Sequence, residues 1–229
     1  MPPNTDARVQ LRISAVSGRV TVIAESRADV VVDRGGTAHA GADQVVEIRA
    51  RRPSDNIEVR CPPDADLIVG TRSGNVDLQG RLGTVGVTSQ SGSIRAAAVA
   101  DADLRTVSGT VEIVVCDGRC RVSTTSGRIT VGAAGDVEIS TVSGSVGVDQ
   151  VAGSAQVRSV SGKVGIGSSG QGAVQVRTVS GRITIRLPAG VRPNVRYAGF
   201  GKVRSELEPG GDLLVDVANV SGTVRLVTA

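Results

Sequence analysis

The dipeptide Ser-Gly returns at Ser73, Ser91, Ser108, Ser126, Ser143, Ser161 and Ser180, each time with Thr or Ser two places before it and an apolar residue three places after. The spacings are 18, 17, 18, 17, 18 and 19 residues. A period that short and regular belongs to a chain whose repeats are single coils, each stacked on the last. Nothing in a globular packing of unrelated elements would hold it.

Counting from each Ser, apolar residues fall into fixed columns. Three places after lie Val76, Ile94, Val111, Ile129, Val146, Val164 and Ile183, and five after lie Leu78, Ala96, Ile113, Val131, Val148, Ile166 and Ile185. Four before lie Val69, Val87, Leu104, Val122, Ile139, Val157 and Val176, and six before lie Leu67, Val85, Ala102, Cys120, Val137, Ala155 and Val174. Apolar residues two apart mean a strand with one buried face. Each coil therefore carries two short strands with Ser-Gly as the corner between them. A second corner is expected near Gly83, Asp101, Gly118, Gly135, Gly153, Gly172 and Gly190, where small or turn-forming residues recur.

The column two before Ser continues the inward alternation but holds Thr71, Ser89, Thr106, Thr124, Thr141, Ser159 and Thr178. It reads either as a stacked ladder of hydroxyls bonded across coils or as a semi-exposed row at the corner. Outward columns give an independent register. Asp77, Arg95 and Glu112 share one, and Asp103, Arg121 and Glu138 share another, so sign alternates where coils about 4.8 Å apart would bring like positions together.

These columns predict an all-β fold, a single-stranded parallel β-solenoid (β-helix) with about 17–19 residues per coil. Parallel strands joined by a crossover turn right-handed, so the solenoid is expected to be right-handed. A left-handed β-helix would show a six-residue sub-period that these columns lack. One continuous domain is expected in three parts: residues 1–66 as irregular strands and first coils, 67–190 as regular coils, and 191–229 as a terminal coil and cap.

Composition agrees with narrow aliphatic coils. The chain of 229 residues has one Phe, one Tyr and no Trp, and β-branched residues favour strand. Before Ser73 the period blurs, with strand-like runs at 19–24, 29–33, 44–49 and 57–61, the last ended by Pro62 and Pro63. Ser17-Gly18 and Ser221-Gly222 match the motif but stand apart from the regular series. Tyr197 and Phe200, with Pro193 and Pro209, are expected to close the carboxyl end of the core rather than bind a ligand.

Function classes narrow by exclusion. A formal charge of +4 is small for this length and rests on Arg, with Lys163 and Lys202 the only lysines. With no dense basic stripe and no stacking aromatics, nucleic acid is not an expected partner. No run of about 20 apolar residues exists to span a bilayer, and the amino terminus lacks a secretory profile, so a cytoplasmic protein, peripheral to the membrane at most, is expected. Cys61, Cys116 and Cys120 are too few for a disulfide framework. Cys120 falls on an inward column, so burial as a small apolar residue is the leading reading, with a Cys116–Cys120 corner disulfide as the alternative. His39 is the single histidine, so neither a Ser-His-Asp nor a zinc arrangement assembles, and no cofactor or metal is expected.

One surface feature remains. Arg105, Arg158 and Arg177 share the column three before Ser, while Arg128, Lys163 and Arg182 share the one two after it, with Arg186 nearby. If both columns flank one corner they form a positive edge for an anionic membrane surface or an acidic partner.

The repeats RTVSGTVEI, TTSGRITV, STVSGSVGV, RSVSGKVGI and RTVSGRITI resemble those of the bacterial β-strand-repeat family labelled putative adhesin, the toastrack domain. The resemblance is strong over about residues 55–190. It implies a β-solenoid without catalytic residues, associated with cell-envelope stress systems, that acts as an interaction scaffold for a protein or envelope component. Many relatives carry Asp after Ser-Gly, where this chain has Asn, Ser, Thr, Arg or Lys. The alternative of a different class is a self-assembling filament of the bactofilin kind, stacking through solenoid ends or edges. Ice binding is disfavoured by the inward Thr column, and carbohydrate binding by the lack of surface aromatics.

Overall fold

The computed structural model describes residues 8–41, 44–211 and 213–228. Fourteen strands form one continuous sheet, and no helix occurs among the described residues. The strands are β1 (Gln10–Ser14), β2 (Arg19–Ala24), β3 (Val31–Arg34), β4 (Gly36–Ala40), β5 (Val45–Ala50), β6 (Ile57–Cys61), β7 (Asp66–Thr71), β8 (Asn75–Ser91), β9 (Ile94–Val151), β10 (Ala155–Ser168), β11 (Ala173–Leu187), β12 (Pro193–Gly199), β13 (Lys202–Ser205) and β14 (Leu213–Thr228). The longest of these bend through the corners without losing their ladder, so β9 runs for 58 residues.

Pairing is parallel and in motif register. Ser91 lies beside Ser108, Ser143 beside Ser161, and Ser161 beside Ser180. The four inward columns form the core: Leu67, Val85, Leu104, Val122, Ile139, Val157 and Val176 are all buried, as are Ile94, Val111, Ile129, Val164 and Ile183. In each outward charge column the Arg meets the Glu of the following coil, while Asp77 is bonded by Gln79 and Asp103 by Arg105. Arg95 Nε lies 3.2 Å from Glu112 Oε2, and Arg121 Nη2 lies 2.8 Å from Glu138 Oε2.

The inward hydroxyls do not form a ladder between coils. From Ser89 to Thr178 each turns within its own coil and donates to the carbonyl of the motif Ser two places on, as in Thr106 Oγ1 to Ser108 O at 3.2 Å and Thr178 Oγ1 to Ser180 O at 3.2 Å, while Thr71 Oγ1 accepts the N–H of Gly74 at 3.1 Å. The column is buried, which excludes the semi-exposed alternative as well. A single hydroxyl hydrogen can be spent once, and the corner carbonyl two residues away is the acceptor that the strand geometry leaves within reach.

At both ends, order along the chain differs from order in the stack. Strands β1 and β2 do not lie outermost: β1 sits between β5 and β7, and β2 between β6 and β8. Arg19 pairs with Asn75, which brings Ser17-Gly18 into line under Ser73-Gly74. At the other end β14 inserts between β11 and the strands β12 and β13, with Ser221 beside Ser180. The two motifs that stand apart in sequence are thus continuous with the regular column. Antiparallel β3 and β4 pair with β6 and β5 and line the amino-terminal edge.

The expectation that Tyr197 and Phe200 close the core is half wrong. Tyr197 packs against the core with Val191, Val195 and Leu207, but Phe200 is 95% exposed. Phe200 stands between Gly199 and Gly201 in the turn from β12 to β13, past the point where the strand can direct it inward.

Candidate functional site

The Ser-Gly corners form a ridge with a groove on either side. On the first side lies the column directly before each Ser, an outward position where a polar residue would be expected. It holds Val107, Val142, Val160, Val179 and Val220, each between 47% and 57% exposed, with Thr125 between the first two. Thr106, Val107, Thr124, Thr125, Thr141, Val142, Ser159 and Val160 line a groove of about 430 Å³, with Arg105 and Arg158 along its side. A second cavity of about 320 Å³ continues it past Arg158 and Ser159 to Arg177, Val179, Phe200 and Val220.

Charge along this groove is uneven. Arg105 is held by Asp103 of its own strand at 3.0 Å. Arg158 and Arg177 are direct register neighbours, and among the described residues neither has a carboxylate within 4.0 Å. Like charges placed side by side repel, so this pair is a locally unfavourable arrangement in the free chain.

On the other side of the ridge, Arg128 and Lys163 line a shallow groove with Ser126, Gly127, Ser143, Gly144 and Ser161. Lys163 pairs with Arg182, and Arg186 leans over Gly165. Six of the seven basic residues therefore share one corner but open on two faces, Arg105, Arg158 and Arg177 with the valines and Arg128, Lys163 and Arg182 beside the Ser-Gly row, while Arg186 stands four residues further along the strand from Arg182. The valine column leaves no trace in the charge pattern. Its signal is the repeated Val in TVSG, SVSG and NVSG at a position of outward parity.

The three cysteines are free thiols and all are buried. Cys120 holds its proton firmly, through its hydrogen bond with Cys116 first and burial second. Burial pushes the Cys61 thiol up to about 11. No group of three or more His, Cys, Asp or Glu side chains gathers among the described residues at metal-binding distance.

A stack of small β coils with an apolar line along one corner, interrupted at Thr125, defines an all-β repeat protein. The chain belongs to the Toastrack DUF4097 family, whose model matches residues 47–198. Solved structures that are similar in fold include putative adhesins from Bacteroides fragilis (10% identity, TM-score 0.47), Parabacteroides distasonis (13%, 0.45) and Parabacteroides merdae (14%, 0.41), each match covering 96% of this chain and 92% of the other. No curated protein matches. No enzymatic family is indicated, and the filament alternative of the bactofilin kind gains no support from the match.

Proposed function

We propose that this chain is a non-enzymatic interaction scaffold, a right-handed solenoid of 17–19 residues per coil that holds a protein or cell-envelope component along the corner groove. The observation that carries the reading is the line of half-exposed valines from Val107 to Val220. An apolar stripe with polar residues on both sides is the usual mark of a contact surface. The rigid ladder beneath it means that a partner meets a preformed surface and little ordering cost falls on the scaffold.

A photo-reactive residue placed at 142 or 160 tests it. Cross-linked adducts at those positions, and none at exposed Gln79 on a different part of the coil, support the groove. Equal yields at all three, or none at 142 and 160, would remove it.

A second reading, peripheral contact with an anionic membrane, is favoured by the unneutralised Lys163 and Arg182 on the ridge's far side and by Arg158 and Arg177 on the near one. Flotation with phosphatidylglycerol vesicles is the measurement. If reversing charge at Arg158, Arg177 and Arg182 together leaves flotation unchanged, the membrane reading fails.

A further inference from the structure

We propose that the carboxyl-terminal end of the groove is a small-molecule pocket for a single-chain amphiphilic carboxylate, with Arg158 and Arg177 taking the head and Val179, Val220 and Phe200 the chain. It rests in part on the reading of the corner as a binding face. Three neighbouring columns build the pocket. The outer wall runs Val179, Val220 and then Phe200. The facing wall runs Arg158, Arg177 and then, in register, Ala218 and Ala198. Two long cationic side chains give way to two methyl groups, and that step makes the concavity.

The floor supplies an independent observation. Where the coils from Ser73 to Ser180 place Thr or Ser in the inward column, the coil of β14 places Asn219, which is 2% exposed. Its Oδ1 accepts the N–H of Ser221 at 3.1 Å, which fixes the amide with Nδ2 turned the other way. Asn219 Nδ2 has no hydrogen-bond partner, and neither does the buried hydroxyl of Tyr197. Both lie about Gly201, Tyr197 Oη 2.9 Å and Asn219 Nδ2 3.2 Å from where a Cβ on that residue would stand. Buried donors left unpaired are costly; of the two residues Asn219 lines the cavity, so its unpaired Nδ2 signals a missing acceptor there.

The chemistry of the ligand follows. Its head must be anionic, because two adjacent guanidinium groups face it with no carboxylate of the described residues to neutralise them, and a planar carboxylate matches their fork of donors. Its body must be apolar, because the wall offers valine methyls and a phenyl ring. It must also bring an acceptor toward Asn219, the lining residue with the unpaired amide. The glycines on either side of Phe200 leave that ring free to fold over a bound chain.

Isothermal titration of the full chain with decanoate, below its micellar range, tests the assignment. One site is expected, with acetate, decanol and decyltrimethylammonium all binding at least about tenfold more weakly, since each lacks the chain or the negative head. Asn219→Thr restores the residue that other coils use, so the variant should fold with an unchanged or higher thermal midpoint yet bind decanoate about fivefold more weakly. Arg177→Gln should weaken binding about tenfold. Decanoate binding that is untouched by both substitutions, or matched by decanol, would overturn the pocket. If decanoate fails while cross-linking at 142 and 160 still succeeds, the pocket falls and the groove stands.

Discussion

Gly144 stands directly against the carbonyl oxygen of Gly127 in the neighbouring coil, at a backbone φ of +147°. The same contact joins Gly92 to Gly74, Gly109 to Gly92, Gly162 to Gly144, Gly181 to Gly162 and Gly222 to Gly181. From Gly92 onward the glycine of each Ser-Gly is thus required twice, once for its φ and once because a Cβ would strike the backbone next to it. Gly144→Ala should cost about 2 kcal/mol or more in chemical denaturation. Gly70, with open space around its Cβ position, is the control: Gly70→Ala should lie within about 0.5 kcal/mol of the parent. Equal effects at the two positions would refute the stacking argument.

The second corner is held by a different device. Asp101 Oδ1 accepts the backbone N–H of Arg119 at 2.8 Å, Asp136 Oδ1 that of Ser154 at 2.8 Å, and Asp66 Oδ1 that of Thr84 at 2.7 Å. Each carboxylate reaches 18 residues ahead, across Gly118, Gly153 or Gly83, where a side chain would block it. Asp101→Ala removes the acceptor and should destabilise by about 1–2 kcal/mol, whereas Asp101→Asn keeps an oxygen and should lose less. If Asn costs as much as Ala, the side-chain oxygen is not what matters there.

Much of this architecture is written in the columns. Strand parity, the inward aliphatics and the charge triplets are local properties of a repeat, and each coil repeats them until the pattern is unmistakable. The insertion of β1–β2 two places in from one end, and of β14 one place in from the other, is not local. It depends on which of two equivalent open edges a terminal segment chooses, and Ser17-Gly18 and Ser221-Gly222 offered the only hint. Asp66, Asp101 and Asp136, each 35 residues apart, carried a two-coil period that the alternation of 18 and 17 already implied. The basic residues were visible, but their division between two faces was not, since the ridge that separates them exists only once the corner is folded. Asn219 was legible as a departure from Thr or Ser; that its Nδ2 is left without a partner is a matter of geometry.

Arg158 and Arg177 repel each other across the ladder in the free chain. Arg177→Gln should therefore raise stability by a few tenths of a kcal/mol, about 0.2–0.5, at low ionic strength. Added salt should erase the gain. Thermal melts of both proteins at about 10 mM and about 500 mM salt measure it, because the screening length shortens severalfold between them. A loss of stability at low salt would mean that Arg177 has a favourable partner after all.

Cys61 sits wholly inside the core beside β2, and burial raises its thiol from 9.0 to about 11. A thiol with a raised value contributes nothing extra while both states are protonated, so stability is intact below about pH 9. Above that the unfolded chain releases the proton and the folded chain keeps it, which favours unfolding until the folded thiol also ionises near pH 11. The penalty should grow to about 2–3 kcal/mol across that window. Cys61→Val removes the ionisable group at little change in volume, so the variant should gain on the parent between pH 9 and 11 and run parallel to it from pH 6 to 8. Denaturation midpoints of the two proteins over this range are the measurement, and a constant difference at every pH would show that the Cys61 thiol is not held neutral by burial.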